Sequence, residues 1–210
     1  RNAVRRLAPN ALLTVDVTQA LGRVVLDCQD ADCIISSTHK WTLGIHGGCV
    51  VGIPAAGAER LTTRAGGWFH LQNAFEADRF QRAVPKRGAA SFSVGMPNFA
   101  AIYALDAALR YVDSVGVAAI AHHADPLVLR LHDGLRELGL APMAPKQPDC
   151  CSGILAFQHP QTAELHAALE RERIHVMHHA GRIRFAVHGF NTSEDVEQSL
   201  GVLRAALGKL

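Results

Sequence analysis

The sequence predicts an α/β fold, with a larger domain on a mainly parallel sheet over residues 1–118 and a small α/β domain over residues 119–210. Three patterns predict it. Short apolar runs near residues 12–17, 32–36 and 48–53 end in Asp, Ser or Ile-Pro, as strands covered on both faces do. Two long helical stretches follow, 97–115 and 117–138. From residue 153 the order is strand, helix, two strands, helix, the layering of a compact α/β domain.

Taken in order, Arg1 to Pro9 reads as the tail of a helix and a turn. Ala11 to Val17 is the first strand, and Val24 to Asp27 a short extended piece. Asp32 to Ser36 and Gly48 to Ile53 are the next strands, with Gly44, Gly47 and Gly48 letting the backbone between them approach a ligand or a neighbouring subunit. Gly57 to Arg82 carries no regular pattern. Pro97 opens a helix to Val115, since its missing N–H is one that a first helical turn leaves unbonded anyway. Val117 to Leu138 is a second helix, with His122 and His123 on its surface and Pro126 kinking or restarting it. Leu140 to Cys151 is a Pro-rich connection. Gly153 to Gln158 is then a strand, Thr162 to Arg173 a helix, and Ile174 to Met177 and Ile183 to Val187 two more strands. Thr192 with Asp195 forms a capping box for a last helix to Leu207.

Composition narrows the function. A formal charge of +2, with no run of lysine or arginine, argues against nucleic acid. Arg64, Arg79, Arg82 and Arg87 make one stretch locally basic. Cysteines at 28, 33, 49, 150 and 151 lack metal-ligand spacing, and Cys33 and Cys49 fall in apolar runs where a buried thiol is expected. That usage fits a cytoplasmic protein. No run is long and apolar enough to span a membrane, and RNAVRRLAPN has no apolar signal region. His178 and His179 are neighbours on a strand and point to opposite faces, so no metal is expected there. No strand leads into a G-x-G-x-x-G turn, which counts against dinucleotide binding.

The chemistry gathers at two strand ends. Lys40 directly follows an apolar strand, among Ser37, Thr38, His39 and Trp41. Burial there would favour the neutral, nucleophilic amine. Such amines form Schiff bases with carbonyl compounds, pyridoxal phosphate among them. That cofactor needs a carboxylate against its ring nitrogen, and Asp16 ends the first strand. Gln19, one turn on, would donate to the cofactor's phenolic oxygen. Ser37 and His39 offer donors to a phosphate, and Thr38 another hydroxyl. Each residue has a plainer reading too: Asp16 as a turn residue, His39-Lys40 as a surface turn, Arg184 as a structural arginine.

Asp16-x-x-Gln19-x-x-Gly22, then Asp32, then Ser37-x-His39-Lys40-Trp41 and a glycine-rich turn resembles the signature of the class V aminotransferases, a branch of the fold-type-I pyridoxal phosphate enzymes. The branch includes cysteine desulfurases, selenocysteine lyases, kynureninases and isopenicillin-epimerase-like proteins. Phe92 to Asn98 resembles the family's Gly-Thr-Pro-Asn helix start, and Arg184 seven residues before Asn191-Thr192 resembles its carboxylate-binding arginine segment. The resemblance implies the remainder of a large cofactor-binding domain followed by a small C-terminal domain. It implies pyridoxal 5'-phosphate on Lys40, with Asp16, Gln19, Ser37 and His39 as cofactor contacts. Arg184 would grip the carboxylate of a small-molecule amino substrate with two parallel hydrogen bonds.

It also implies a homodimer, with the Gly66-Gly67-Trp68 loop near the partner's site; the plainer reading has Trp68 and Phe69 simply packing a loop. Met96 stands where relatives carry a threonine that reaches the partner's cofactor phosphate, and methionine cannot donate. Relatives place a long segment before the strand that bears Asp16, so the chain reads as the C-terminal portion of such an enzyme, with an N-terminal half absent or carried as a separate chain. Transamination, β-elimination and epimerisation all remain open. Cysteine desulfuration is disfavoured, because Ile174 to Arg184 is short and contains no cysteine. The alternative is a non-catalytic fragment or subunit that needs its missing half.

Overall fold

A computed structural model describes residues 2–146 and 151–209; Cys150 lies outside them. Its contacts divide the chain into two units, one of residues 1–22 and 26–114, the other of residues 23–25 and 115–210.

In the first unit a short helix, α1 (Asn2–Leu7), precedes a three-stranded sheet of β1 (Thr14–Asp16), β2 (Cys33–Ser37) and β3 (Cys49–Gly52), in that order. β1 and β2 run parallel, with Asp16 opposite Ile35, so both leave the sheet at the same end. β3 runs antiparallel to β2. The glycine-rich stretch between them only has to turn back, whereas a parallel return needs a crossover. Residues 53–98 follow as turns and short 3-10 segments, and α2 (Phe99–Val115) completes the unit.

Three strand expectations need correction here. β1 is three residues long and its Thr14 and Asp16 are exposed, because among the described residues β2 alone pairs with it and it forms the sheet's edge. The short extended piece expected over 24–27 joins no sheet among the described residues, and Arg23 to Val25 group with the second unit. Cys49, expected buried, is exposed at the start of β3, whereas Cys33 is buried.

The second unit places α3 (Val117–Glu137), α4 (Thr162–Arg171) and α5 (Ser193–Leu207) with an antiparallel sheet of β4 (Ile154–Gln158), β6 (Arg182–Ala186) and β5 (Met177–His179), in that order. Period-two alternation turns Leu155, Phe157, Ile183 and Phe185 inward, where they meet Leu131 and Leu135 of α3, Leu165 and Leu169 of α4, and Leu200 and Leu203 of α5. Each such side chain removed from water contributes about 1.5–3 kcal/mol. α5 opens with the capping box expected of it, Thr192 accepting from the Asp195 N–H while Asp195 accepts from the Thr192 N–H.

The strand expected over 174–177 begins only at Met177. α4 closes in a Schellman motif: Ile174 N–H donates to Leu169 C=O and Arg173 N–H to Glu170 C=O, with Arg173 at φ 60°. Ile174 and Val176 then cross as irregular chain and pack on the core.

Candidate active site

The parallel pairing of β1 and β2 brings Asp16 and the Ser37-Thr38-His39-Lys40 segment off the same end of one sheet. Thr18 ties the two ends together. Its N–H donates to Asp16 Oδ1 at 2.9 Å, and its hydroxyl accepts from Ser37 N–H at 3.0 Å. The Thr18 hydroxyl, then its backbone N–H, hold the Asp16 carboxyl below the ordinary carboxylate range; burial opposes them, and the Lys40 ammonium adds the smallest effect, in the same direction as Thr18. Asp16 is thus a carboxylate at neutral pH, within electrostatic reach of Lys40.

Gln19 accepts from the Trp41 indole N–H at 2.7 Å. An indole only donates, so the amide oxygen must face Trp41, and the Gln19 NH2 is left to donate elsewhere. Trp41 is buried, and Gly22, at φ 91°, passes so close to its carbonyl that an added Cβ would lie 2.7 Å from the oxygen. The spacing from Asp16 through Gln19 to Gly22 therefore serves the local packing as well as the polar groups it presents.

Lys40 is exposed, not desolvated as its neighbours in sequence suggested. It sits at the rim of the sheet, beyond the last strand residue, where the described residues cover little of it. Thr38 is corrected more sharply. Its side chain is buried and its hydroxyl is directed at the carbonyls of Ile45 (2.8 Å) and Gly48 (3.1 Å), so it braces the following loop and has no donor left for a phosphate. Ser37, at the end of β2, is half-buried. His39 stacks on His46, ring centroids 3.7 Å apart and planes 18° from parallel. Partial burial, then His46, then Lys40 lower the proton affinity of His39.

Asp16, Gln19, Ser37, His39 and Lys40 all belong to the first unit; Arg184 belongs to β6 of the second. Arg184 is half-buried, and its Nε is buried with no hydrogen-bond partner among the described residues. A guanidinium N–H left unsatisfied costs about 1–3 kcal/mol or more until an acceptor meets it. Asn191 holds the turn before α5, accepting from His188 N–H and donating to Asp195. Thr18 and His46 were not singled out in the sequence. The Asp16-x-Thr18 spacing is that of a side chain bonding its own backbone two residues on; His46 carries no local signal beyond its flanking glycines.

The model of the family described as aminotransferase class-V matches residues 2–208. An uncharacterized aminotransferase, YcbU, of Bacillus subtilis (strain 168) is 27% identical over 93% of this chain and 51% of its own length. A probable cysteine desulfurase of Pyrococcus abyssi is 26% identical over 95% and 53%. Among solved structures, the apo cysteine desulfurase of Thermococcus onnurineus NA1 superposes with a TM-score of 0.82 at 24% identity, over 95% of this chain and 53% of that one. The chain thus spans about half the length of these relatives.

Proposed function

From the chain's membership of the class V aminotransferases, to which it belongs, we propose that it serves a pyridoxal-phosphate-dependent enzyme acting on an amino acid or related amine. The observation that carries this reading is the Asp16 carboxylate held ionised within reach of the Lys40 ammonium, at the shared end of two parallel strands. The residues present fit the cofactor's demands: a carboxylate for its ring nitrogen in Asp16, an amide donor in Gln19, an amine for its aldehyde in Lys40. When bound, the cofactor supplies an electron sink for bonds to the substrate's α-carbon.

The chain's own groups divide the remaining work. Asp16 keeps a negative charge in place without taking up the proton it holds on its partner, because Thr18 stabilises its anionic form. Lys40, as a flexible primary amine, is the group to accept and return a proton at its Nζ. Arg184 offers its orphan Nε–H, and with it a planar fork, to a substrate carboxylate. Ser37 and His39 are donors for the phosphate.

Transamination and elimination are both open. Desulfuration, disfavoured for want of a cysteine between Ile174 and Arg184, returns to the candidates, because relatives named as cysteine desulfurases weigh against setting it aside. A homodimer is the proposed assembly, supported by the exposed Phe99, Tyr103 and Tyr111 of α2. Coverage of about half of each relative supports the second reading, a fragment or subunit that binds cofactor only with a separate N-terminal half. Near-visible absorbance on adding pyridoxal phosphate, abolished by borohydride and absent in Lys40→Ala, is the expected result. A protein that stays colourless alone and with the corresponding half of a relative contradicts the enzyme reading.

A further inference from the structure

We propose that His46 is a second imidazole of an oxyanion site with His39, and that together they take the phosphate ester of the cofactor. The identity of that anion rests on the reading above; the site itself rests on geometry.

The loop after Lys40 is built to bring His46 back over His39. Leu43 takes a left-handed φ of 60° and Gly47 a φ of 102°. Gly44 packs on the Thr38 carbonyl, where a Cβ would stand 2.5 Å from the oxygen. Gly47 lies against the Asn98 amide, 2.8 Å from where its Cβ would be. The buried Thr38 hydroxyl lies against the carbonyls on both sides of His46, those of Ile45 and Gly48. A left-handed leucine and a buried hydroxyl bonded on both flanks restrict the backbone that carries His46 before any ligand arrives, which removes part of the ordering penalty of binding.

That place gathers groups that can carry positive charge. His39 stacks on His46 and lies within electrostatic reach of Lys40, and the carboxylate within reach of Lys40 is Asp16, which Thr18 already satisfies. Two rings 3.7 Å apart cannot both hold a proton cheaply unless an anion lies against them. Burial, His46 and Lys40 all push His39 towards its neutral form. An oxyanion with full negative charge reverses that preference, so binding draws protons onto the pair. The ring N–H groups then donate charge-assisted hydrogen bonds to it.

Sulfate, which stays fully ionised through neutral pH, is the probe for the site. In the wild-type protein the ring-proton titration midpoints of His39 and His46 should both rise when sulfate is added. Calorimetry in buffers of different ionisation enthalpy should show proton uptake near pH 7. His46→Gln and His46→Phe, the second keeping an aromatic ring in the stack, should each weaken sulfate binding about ten-fold and lose most of the uptake. Both should also weaken pyridoxal phosphate while leaving pyridoxal, which has no phosphate, unchanged. Histidine midpoints unmoved by sulfate in the wild type overturn the proposal, as does wild-type affinity in His46→Phe. The sulfate arm judges it even where no adduct forms at Lys40, so failure of the cofactor reading remains separate.

Discussion

At Asp16 the charge is fixed first by Thr18 and only then by Lys40. The folded-state pKa lies below the unfolded one, so the stabilisation is present in full above the ordinary carboxylate range and is lost as pH falls through the depressed value. In a carboxyl-carbon NMR titration the Asp16 midpoint should sit below 3.8. Thr18→Ala should raise it more than Lys40→Met does; the reverse order would make the lysine the dominant partner. The placement of Asp16, Gln19 and Lys40 near one end of the sheet was legible in the sequence, because their spacing is set by one strand end and one turn. Thr38 was misread because a hydroxyl's partner is chosen by where the loop returns, and no spacing encodes that. Lys40 was misread as buried because covering a strand end takes chain that the neighbouring residues do not represent.

Helix ends show how far local sequence carries an element. α3 and α4 end in the same Schellman arrangement, with Gly139 at φ 76° in one and Arg173 at φ 60° in the other. An L side chain in that region costs about 1–2 kcal/mol. Arg173→Gly should therefore raise unfolding stability by roughly 1 kcal/mol, and Gly139→Ala should lower it by a similar amount, both read in urea. No gain from Arg173→Gly would mean that the arginine side chain offsets its strained backbone. The end of α3 and both ends of α5 were legible from glycine and capping residues. The end of α4 was overrun by two residues because arginine gives no stop signal, and the strand after it was placed early for the same reason. The first strand was read as covered from its apolar run alone, yet apolar composition says what a strand can be buried by, not whether this chain supplies it.

At the scale of the whole molecule the two units differ in how they are stabilised. Among the described residues the continuous apolar core belongs to the second unit, whereas the first exposes Trp68, Phe75, Phe80, Phe99, Tyr103 and Tyr111. Exposed aromatics in such number are the surface that the proposed homodimer would cover. Sedimentation should show concentration-dependent self-association, shifted towards monomer by Phe99→Glu with Tyr103→Glu. A monomer at every concentration would contradict the proposed homodimer and favour cover by a different chain. None of the described helices is long and apolar enough to cross a membrane.

The most direct measurement is peptide mapping after borohydride reduction in the presence of pyridoxal phosphate. Lysines stand at positions 40, 86, 146 and 209. The modification should map to Lys40 and fall sharply in Asp16→Ala. Labelling spread evenly over the four lysines, or concentrated away from Lys40, would contradict the assignment of this strand end as the cofactor's site.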